Sequence, residues 1–305
     1  MSGRPAPQST RLAILIPFGI VTLIWGSTWL VIRDQVSSVP PSWSVTYRFL
    51  VAGVAMTVIA LIRREPLALD RRGWAFATAI AISQFCLNFN FVYRAEEHIT
   101  SGVVAVVFAL LLVPNAVFSR LFLGQRMGAQ LMAGSAVAMA GIALLFLHEA
   151  RFDRHGPAEA MIGIGFTVAA ILSASSANVL QATETAKRYP MIPTLAAAML
   201  MGAAIDAAIA WTLSGPPVIE MRAGYIGGVL YLGLLGSALT FPLYFGVLRV
   251  IGPAKAAYSS VIIPVIAMLL STLFEGYRWT LLAGAGAALA GVGLVIALRA
   301  RRPAR

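Results

Sequence analysis

Ten apolar stretches of about twenty residues follow one another along this chain, and the short links between them carry most of its charge. A hydrocarbon core near 30 Å needs about 20 residues per helix. At that width the stretches fall near 12–32, 43–62, 73–92, 99–121, 128–147, 160–180, 191–213, 223–247, 254–274 and 280–298. Charge and turn residues mark the links, among them Arg33-Asp34 with Pro40-Pro41, Arg63 to Pro66, Arg94 to His98, Lys187 to Pro190, and Gly252-Pro253. Only 11% of residues are charged, against about a quarter in soluble domains, which leaves too little polar surface for a globule in water. The expected fold class is therefore all-α and integral to a membrane, with about ten transmembrane helices.

The formal charge of +11 reads as loop charge that sets orientation, because basic residues come in pairs between apolar runs and form no stripe with interleaved aromatics. No nucleic-acid partner is expected; the bilayer is. Arg33, Arg48, Arg94, Arg151, Arg154, Arg222 and Arg278 fall on one side of the predicted topology, and the other sixteen of the 23 Lys and Arg fall on the opposite side. The richer side belongs in the cytoplasm. That makes 1–11 a cytoplasmic N-terminus and 299–305 a basic cytoplasmic C-terminus. No small-residue cleavage site follows a short apolar region, so the first helix is expected to stay attached. Trp43, Trp74, Trp211 and Trp279 stand at span ends, where indoles suit the headgroup level. The lone Cys86 can build neither an internal disulfide nor a metal site, and no metal or cofactor is expected.

Shifted by 150 residues, the chain matches itself: Pro114 falls on Pro264, Gln125 on Glu275, Gly134 on Gly284 and Gly141 on Gly291. This predicts two five-span repeats, 12–147 and 160–298, joined by a polar outer loop at 148–159. Five is odd, so the second repeat would enter the membrane upside down. Many secondary transporters share that plan, with the substrate site near the midplane between the halves.

The stretches "IWGSTW" (Ile24 to Trp29) and "YRFLVAG" (Tyr47 to Gly53), the Pro114 and Pro264 helices with their short following loops, "GPAKAAYSSVIIP" (Gly252 to Pro264) and the Gly-rich last helix resemble the drug/metabolite transporter superfamily. Within it, the likeness is to permeases with paired EamA-type repeats, and it covers nearly the whole chain. The resemblance implies movement of small polar metabolites, amino acids or related compounds, across the inner (plasma) membrane, with export the expected direction. It also implies a central cavity lined by spans one, three, four, six, eight and nine. The family pattern has an acidic residue after the fourth span of each repeat; Glu275 matches it, while Gln125 stands there in the first half.

Polar side chains inside spans need partners or a water-filled cavity. In span three Gln84 and Asn88 share a helix face with Phe91, either as amides facing a substrate or as links between helices. Span six repeats the pattern with Ser175, Asn178 and Gln181. In span one Ser27 and Thr28 lie beside Trp25 and Trp29, a pair that could stack on a substrate, gate the cavity or simply pack. Tyr231 and Tyr244 of span eight and Tyr258 of span nine complete the candidate set. Pro114 and Pro264 each remove a helix hydrogen bond, which suits a paired hinge or cavity wall, or shape alone. Arg48, about a turn inside span two, could bind a substrate carboxylate, snorkel to headgroups or act as a gate. Asp206 is the one carboxylate well within a predicted span and a candidate for proton coupling, or else a link to a neighbouring helix. Among small residues, Gly224 with Gly228, and Gly284, Gly286, Gly291 and Gly293, are expected to let helices approach closely.

No HExxH or comparable set of clustered catalytic side chains occurs at membrane depth. An intramembrane enzyme is thus disfavoured, and a channel-like facilitator is the alternative to a secondary transporter. The oligomeric state stays open between monomer and homodimer.

Overall fold

The computed structural model describes residues 8–124, 128–152, 157–251, 253–256 and 259–298. Ten long helices account for most of them: α1 (Gln8–Val36), α2 (Pro41–Ile62), α3 (Arg71–His98), α4 (Ser101–Leu123), α5 (Ala129–Phe152), α6 (Pro157–Gln181), α7 (Met191–Ser214), α8 (Ala223–Val250), α9 (Ser259–Phe274) and α10 (Leu281–Leu298). Among the described residues, seven helices are long and apolar enough to cross a membrane; in α5, α9 and α10 the apolar segments are the shorter Met132–Leu145, Ile263–Phe274 and Leu281–Gly293. Large apolar side chains such as Leu23, Ile62, Phe122 and Leu281 point outward. In water such a surface would drive aggregation; against lipid tails it costs nothing.

The polar run predicted as a loop over 148–159 is mostly helical. α5 continues to Phe152 and α6 starts at Pro157, where a proline at the first helical positions gives up only a donor that is unpaired there anyway. Likewise α3 runs past the expected break at Arg94 to His98, whose ring meets Glu159 of α6. Trp43 stands in the first turn of α2, at the span end, but does not face outward. It is buried, and its indole donates to the Gly215 carbonyl at 3.3 Å.

The packing pairs exchange when the halves are exchanged. α1 lies against α8 and α9, and α6 lies against α3 and α4; α2 pairs with α7, and α5 with α10. A fifth correspondence joins the four seen in the sequence. α3 is π-helical over Ala81–Asn88 and α8 over Tyr231–Leu239, and the two first residues stand 150 apart. The links agree as well. Asp70, before α3, caps that helix through Gly73 N (2.7 Å) and accepts from the Tyr189 hydroxyl (2.6 Å) in the link before α7. Those two bonds, Tyr189's foremost, hold the Asp70 carboxyl below the usual carboxylate range. Glu220, 150 residues on, accepts from Ser38 in the link before α2 and from Arg222, which also reaches Asp34 at 2.8 Å.

Small residues set the closest approach. A methyl group added at Gly141 of α5 would stand 2.3 Å from the Ala290 nitrogen of α10, and one at Gly293 would stand 2.2 Å from the Ala138 nitrogen. Backbone meets backbone there, so nothing can yield. Gly286 also faces α5, whereas Gly284 and Gly291 have open space; Gly228 meets Val31 and Gln35, and Gly224 only the Arg222 side chain. Gly141→Ala is accordingly expected to lower stability by about 1–3 kcal/mol, the usual cost of overpacking. Gly165→Ala, where nothing lies within 4 Å, should leave it unchanged or raise it slightly. Thermal unfolding of both variants in one detergent compares them directly, and equal behaviour would contradict the contact.

Candidate functional site

A cavity of about 90 Å³ lies where α1, α3, α4, α6, α8 and α9 converge, with Arg48 of α2 reaching its wall. Nine of the residues singled out in the sequence line it: Trp25, Thr28, Trp29, Arg48, Gln84, Asn88, Asn178, Tyr244 and Pro264. The rest of the wall is apolar, chiefly Ile32, Phe89, Val92, Phe108, Phe241 and Ile263.

Local helix geometry decides which side chains arrive. α-Helical spacing predicts Phe91 on the face of Gln84 and Asn88. The π-helical turn inserts about one extra residue, so every position after it lags by one. Phe89 and Val92 therefore reach the wall, while Phe91 turns away and stacks on Phe166 of α6 with ring centroids 6.1 Å apart. The second π-helical stretch positions Gly236, whose carbonyl accepts from the Trp25 indole (3.2 Å), from Arg48 Nη2 (3.3 Å) and from the Thr240 hydroxyl (2.7 Å). The Trp25 ring then packs on Phe241 and Tyr244, centroids 5.4 and 4.9 Å away.

Arg48 lies far deeper than a snorkelling side chain, at 1% exposure. Its Nε donates to Ser237 Oγ at 2.9 Å, and its guanidinium carbon stands 4.2 Å from the centroid of the Phe89 ring, a cation–π contact. Nη1 makes no hydrogen bond within the protein. Two more groups on the wall share that condition, the indole N–H of Trp29 and the amide oxygen of Asn88.

The other predicted residues lie off the wall. Ser27 and Tyr231 bond each other at 2.6 Å. Ser175 donates to Asn115 Oδ1 at 2.8 Å, as Asn178 does at 3.3 Å, and Gln181 accepts from Arg249 Nε and Nη2 at 3.2 and 2.8 Å. These contacts run from the cavity to the C-terminal ends of α6 and α8. Pro114 is half-buried beyond the wall, and just before it α4 tightens to a 3₁₀ turn over Ala109–Leu111. Pro264 also sits inside an α-helical segment but stands on the wall, so the two prolines do not form a matched pair of wall residues. Tyr258 lies outside the described residues. Asp206 of α7 is fully buried but faces α3 away from the cavity. It accepts from Asn90 Nδ2 at 2.7 Å, and Ser42 of α2 donates to Asn90 Oδ1 at 2.6 Å.

Sequence reasoning passed over three groups. Asn115, fully buried, joins α4 to α6; its signal was an amide directly after Pro114 in an apolar run. Glu96, assigned to a link, is fully buried one turn beyond Val92, and neither carboxylate oxygen makes a hydrogen bond. Arg33 donates to its main-chain carbonyl, and Glu275, Arg33 and Arg48 are the charged groups that face it. Its signal was the helical spacing that continues from Tyr93. Ser237, the partner of Arg48, had no signal beyond being a small polar residue in an apolar helix.

Comparison with known proteins agrees with this architecture. The chain is 26% identical over 270 residues to protein PagO of Salmonella typhimurium, covering 88% of this chain and 86% of that one. It is 28% identical over 258 residues to the inner membrane transporter YedA of Escherichia coli K12, covering 83% and 80%. A crystal structure at 20% identity superposes with a TM-score of 0.69 over 94% of this chain and 96% of its own, which establishes a shared fold. The profile of the EamA-like transporter family matches residues 13–147 and 161–299, one repeat in each half. The chain is a multi-pass membrane protein of the EamA-like transporter family, with two EamA repeats.

Proposed function

We propose that this protein is a secondary transporter that moves small polar metabolites across the inner membrane by alternating access, with export as its direction. The observation that carries the reading is the cavity between the two repeats, whose apolar wall bears hydrogen-bonding groups with no partner inside the protein. Ten crossings, the second five inverted and both termini cytoplasmic, fit the exchange of packing partners between halves and the distribution of basic residues. The domain boundaries follow, with repeats at 12–147 and 160–298. Polar clusters lie beyond the cavity in opposite directions: Asn115, Gln181 and Arg249 on one side, and Gln35, Tyr93, Glu96 and Glu275 on the other. Opening either cluster while the other stays closed would expose the cavity to one side at a time.

In this reading Asp206 is the coupling group. Its bond to Asn90 ties α7 to the helix that carries Gln84 and Asn88, and protonation would weaken that tie. Reconstituted vesicles preloaded with candidate metabolites should show saturable exchange at carrier rates. Failure to accumulate or release any of them would count heavily against transport, and conductance far above carrier turnover would establish a channel. Asp206→Asn should abolish pH-driven accumulation while exchange persists; pH-driven transport at the normal rate would leave Asp206 a structural link.

A further inference from the structure

Among the described residues the cavity wall carries one formal charge, that of Arg48, and no carboxylate. Among the described residues no acidic oxygen lies within ion-pair distance of its guanidinium, and the ion pairs they form involve other side chains. Tyr93, whose hydroxyl donates to Gln35 Oε1 at 3.0 Å, turns its oxygen toward the guanidinium without bringing it within hydrogen-bond distance of Nη1. Glu96 faces Arg48 from beyond the wall, where Arg33 and Glu275 share its field. A buried cation without an adjacent counter-ion is costly. Ser237, the Gly236 carbonyl and the Phe89 ring solvate part of it and leave Nη1 over. Trp29 lines the same wall, and its indole N–H, buried there, is a second donor without a partner.

Two free donors, one of them charged, call for an acceptor with negative charge. The aromatic and aliphatic remainder of the wall calls for an apolar body. We propose that the cavity binds organic anions: a carboxylate meets Arg48 Nη1 and Trp29 Nε1, and a small apolar or aromatic group lies among Phe89, Phe108 and Phe241. A guanidinium fork suits the planar carboxylate. The charge balance separates this ligand from a zwitterionic amino acid. An anion neutralises Arg48, whereas a zwitterion brings an ammonium for which the described wall offers the neutral Asn88 amide oxygen and no carboxylate. The assignment rests on the transporter reading only for its physiological setting, since binding can be measured without transport.

Four compounds sharing a benzyl group test it on the purified protein in nanodiscs: phenylacetate, phenylacetamide, phenethylamine and phenylalanine, with benzylphosphonate as a fifth. Thermal unfolding and displacement of radiolabelled phenylacetate give two independent readouts. Phenylacetate should bind saturably and raise the unfolding temperature; the amide and the amine should do neither, and phenylalanine should bind about tenfold more weakly or worse. Arg48→Gln should weaken phenylacetate at least about 30-fold, or about 2 kcal/mol, and Arg48→Lys should fall between. Trp29→Phe, which keeps Arg48 and the ring, should weaken it about threefold or more. No binding of phenylacetate by the wild type, tighter binding of the amine, phenylalanine or the phosphonate, or undiminished binding in a folded Arg48→Gln variant would each overturn the proposal. Should Arg48→Gln fail to fold, the wild-type series and Trp29→Phe decide it. Binding of phenylacetate with no vesicle transport of any compound would instead defeat the transporter reading and leave the site standing.

Discussion

The main-chain carbonyl of Gly236 accepts from the Trp25 indole of α1, the Arg48 guanidinium of α2 and the Thr240 hydroxyl of its own helix. In hydrocarbon there is no water to satisfy such groups, so backbone and side chains must satisfy one another. A π-helical stretch, with its wider hydrogen-bond ladder, presents carbonyls sideways in a way that an ordinary α-helix does not. The residue also has to be small, since a methyl group there would stand 3.2 Å from Thr28 Cγ2 and 3.6 Å from Arg48 Nη2. One widened turn thus fixes three helices around the cavity and sets the position of the Arg48 charge on its wall.

That charge is tolerable because its surroundings are polarisable as well as polar. Phe49, Phe85, Phe89 and Phe241 form an edge-to-face cluster behind it, with centroid separations of 4.9 to 6.1 Å. Aromatic faces carry partial negative charge and stabilise a cation without competing for its hydrogen bonds. Arg48 can therefore be well solvated on two sides and still keep a donor unused.

Hydropathy made the helices legible, and the 150-residue offset made the repeat legible, because both depend on residue type alone. What the sequence concealed follows from a shift of register. Nothing in "AISQFCLN" announces a π-helical turn, so Phe91 read as a cavity residue when Phe89 and Val92 take that face. Arg48 and Glu96 read as boundary residues because they stand near the ends of apolar runs. Their helices extend beyond those runs, and tertiary packing buries both side chains. Burial of a charge near a span end is a property of its neighbours, and hydropathy along a single helix does not contain it. Gln84, Asn88 and Asn178 were legible for the opposite reason: an amide in mid-span is conspicuous wherever its helix packs.

The ties between links, Asp70 with Tyr189 and Glu220 with Ser38, occupy equivalent positions in the two repeats and involve different chemistry. Under the proposed alternating access, symmetric latches of equal strength would divide the protein evenly between two orientations. Here the Glu220 side carries an additional arginine that reaches Asp34, while the Asp70 side has a single phenol and a helix cap. Exposed bonds of this kind contribute at most about 1 kcal/mol each, yet that is enough to shift an even balance several-fold. If the repeats exchange roles as proposed, duplication supplies two nearly degenerate resting poses, and surface residues far from the cavity choose between them.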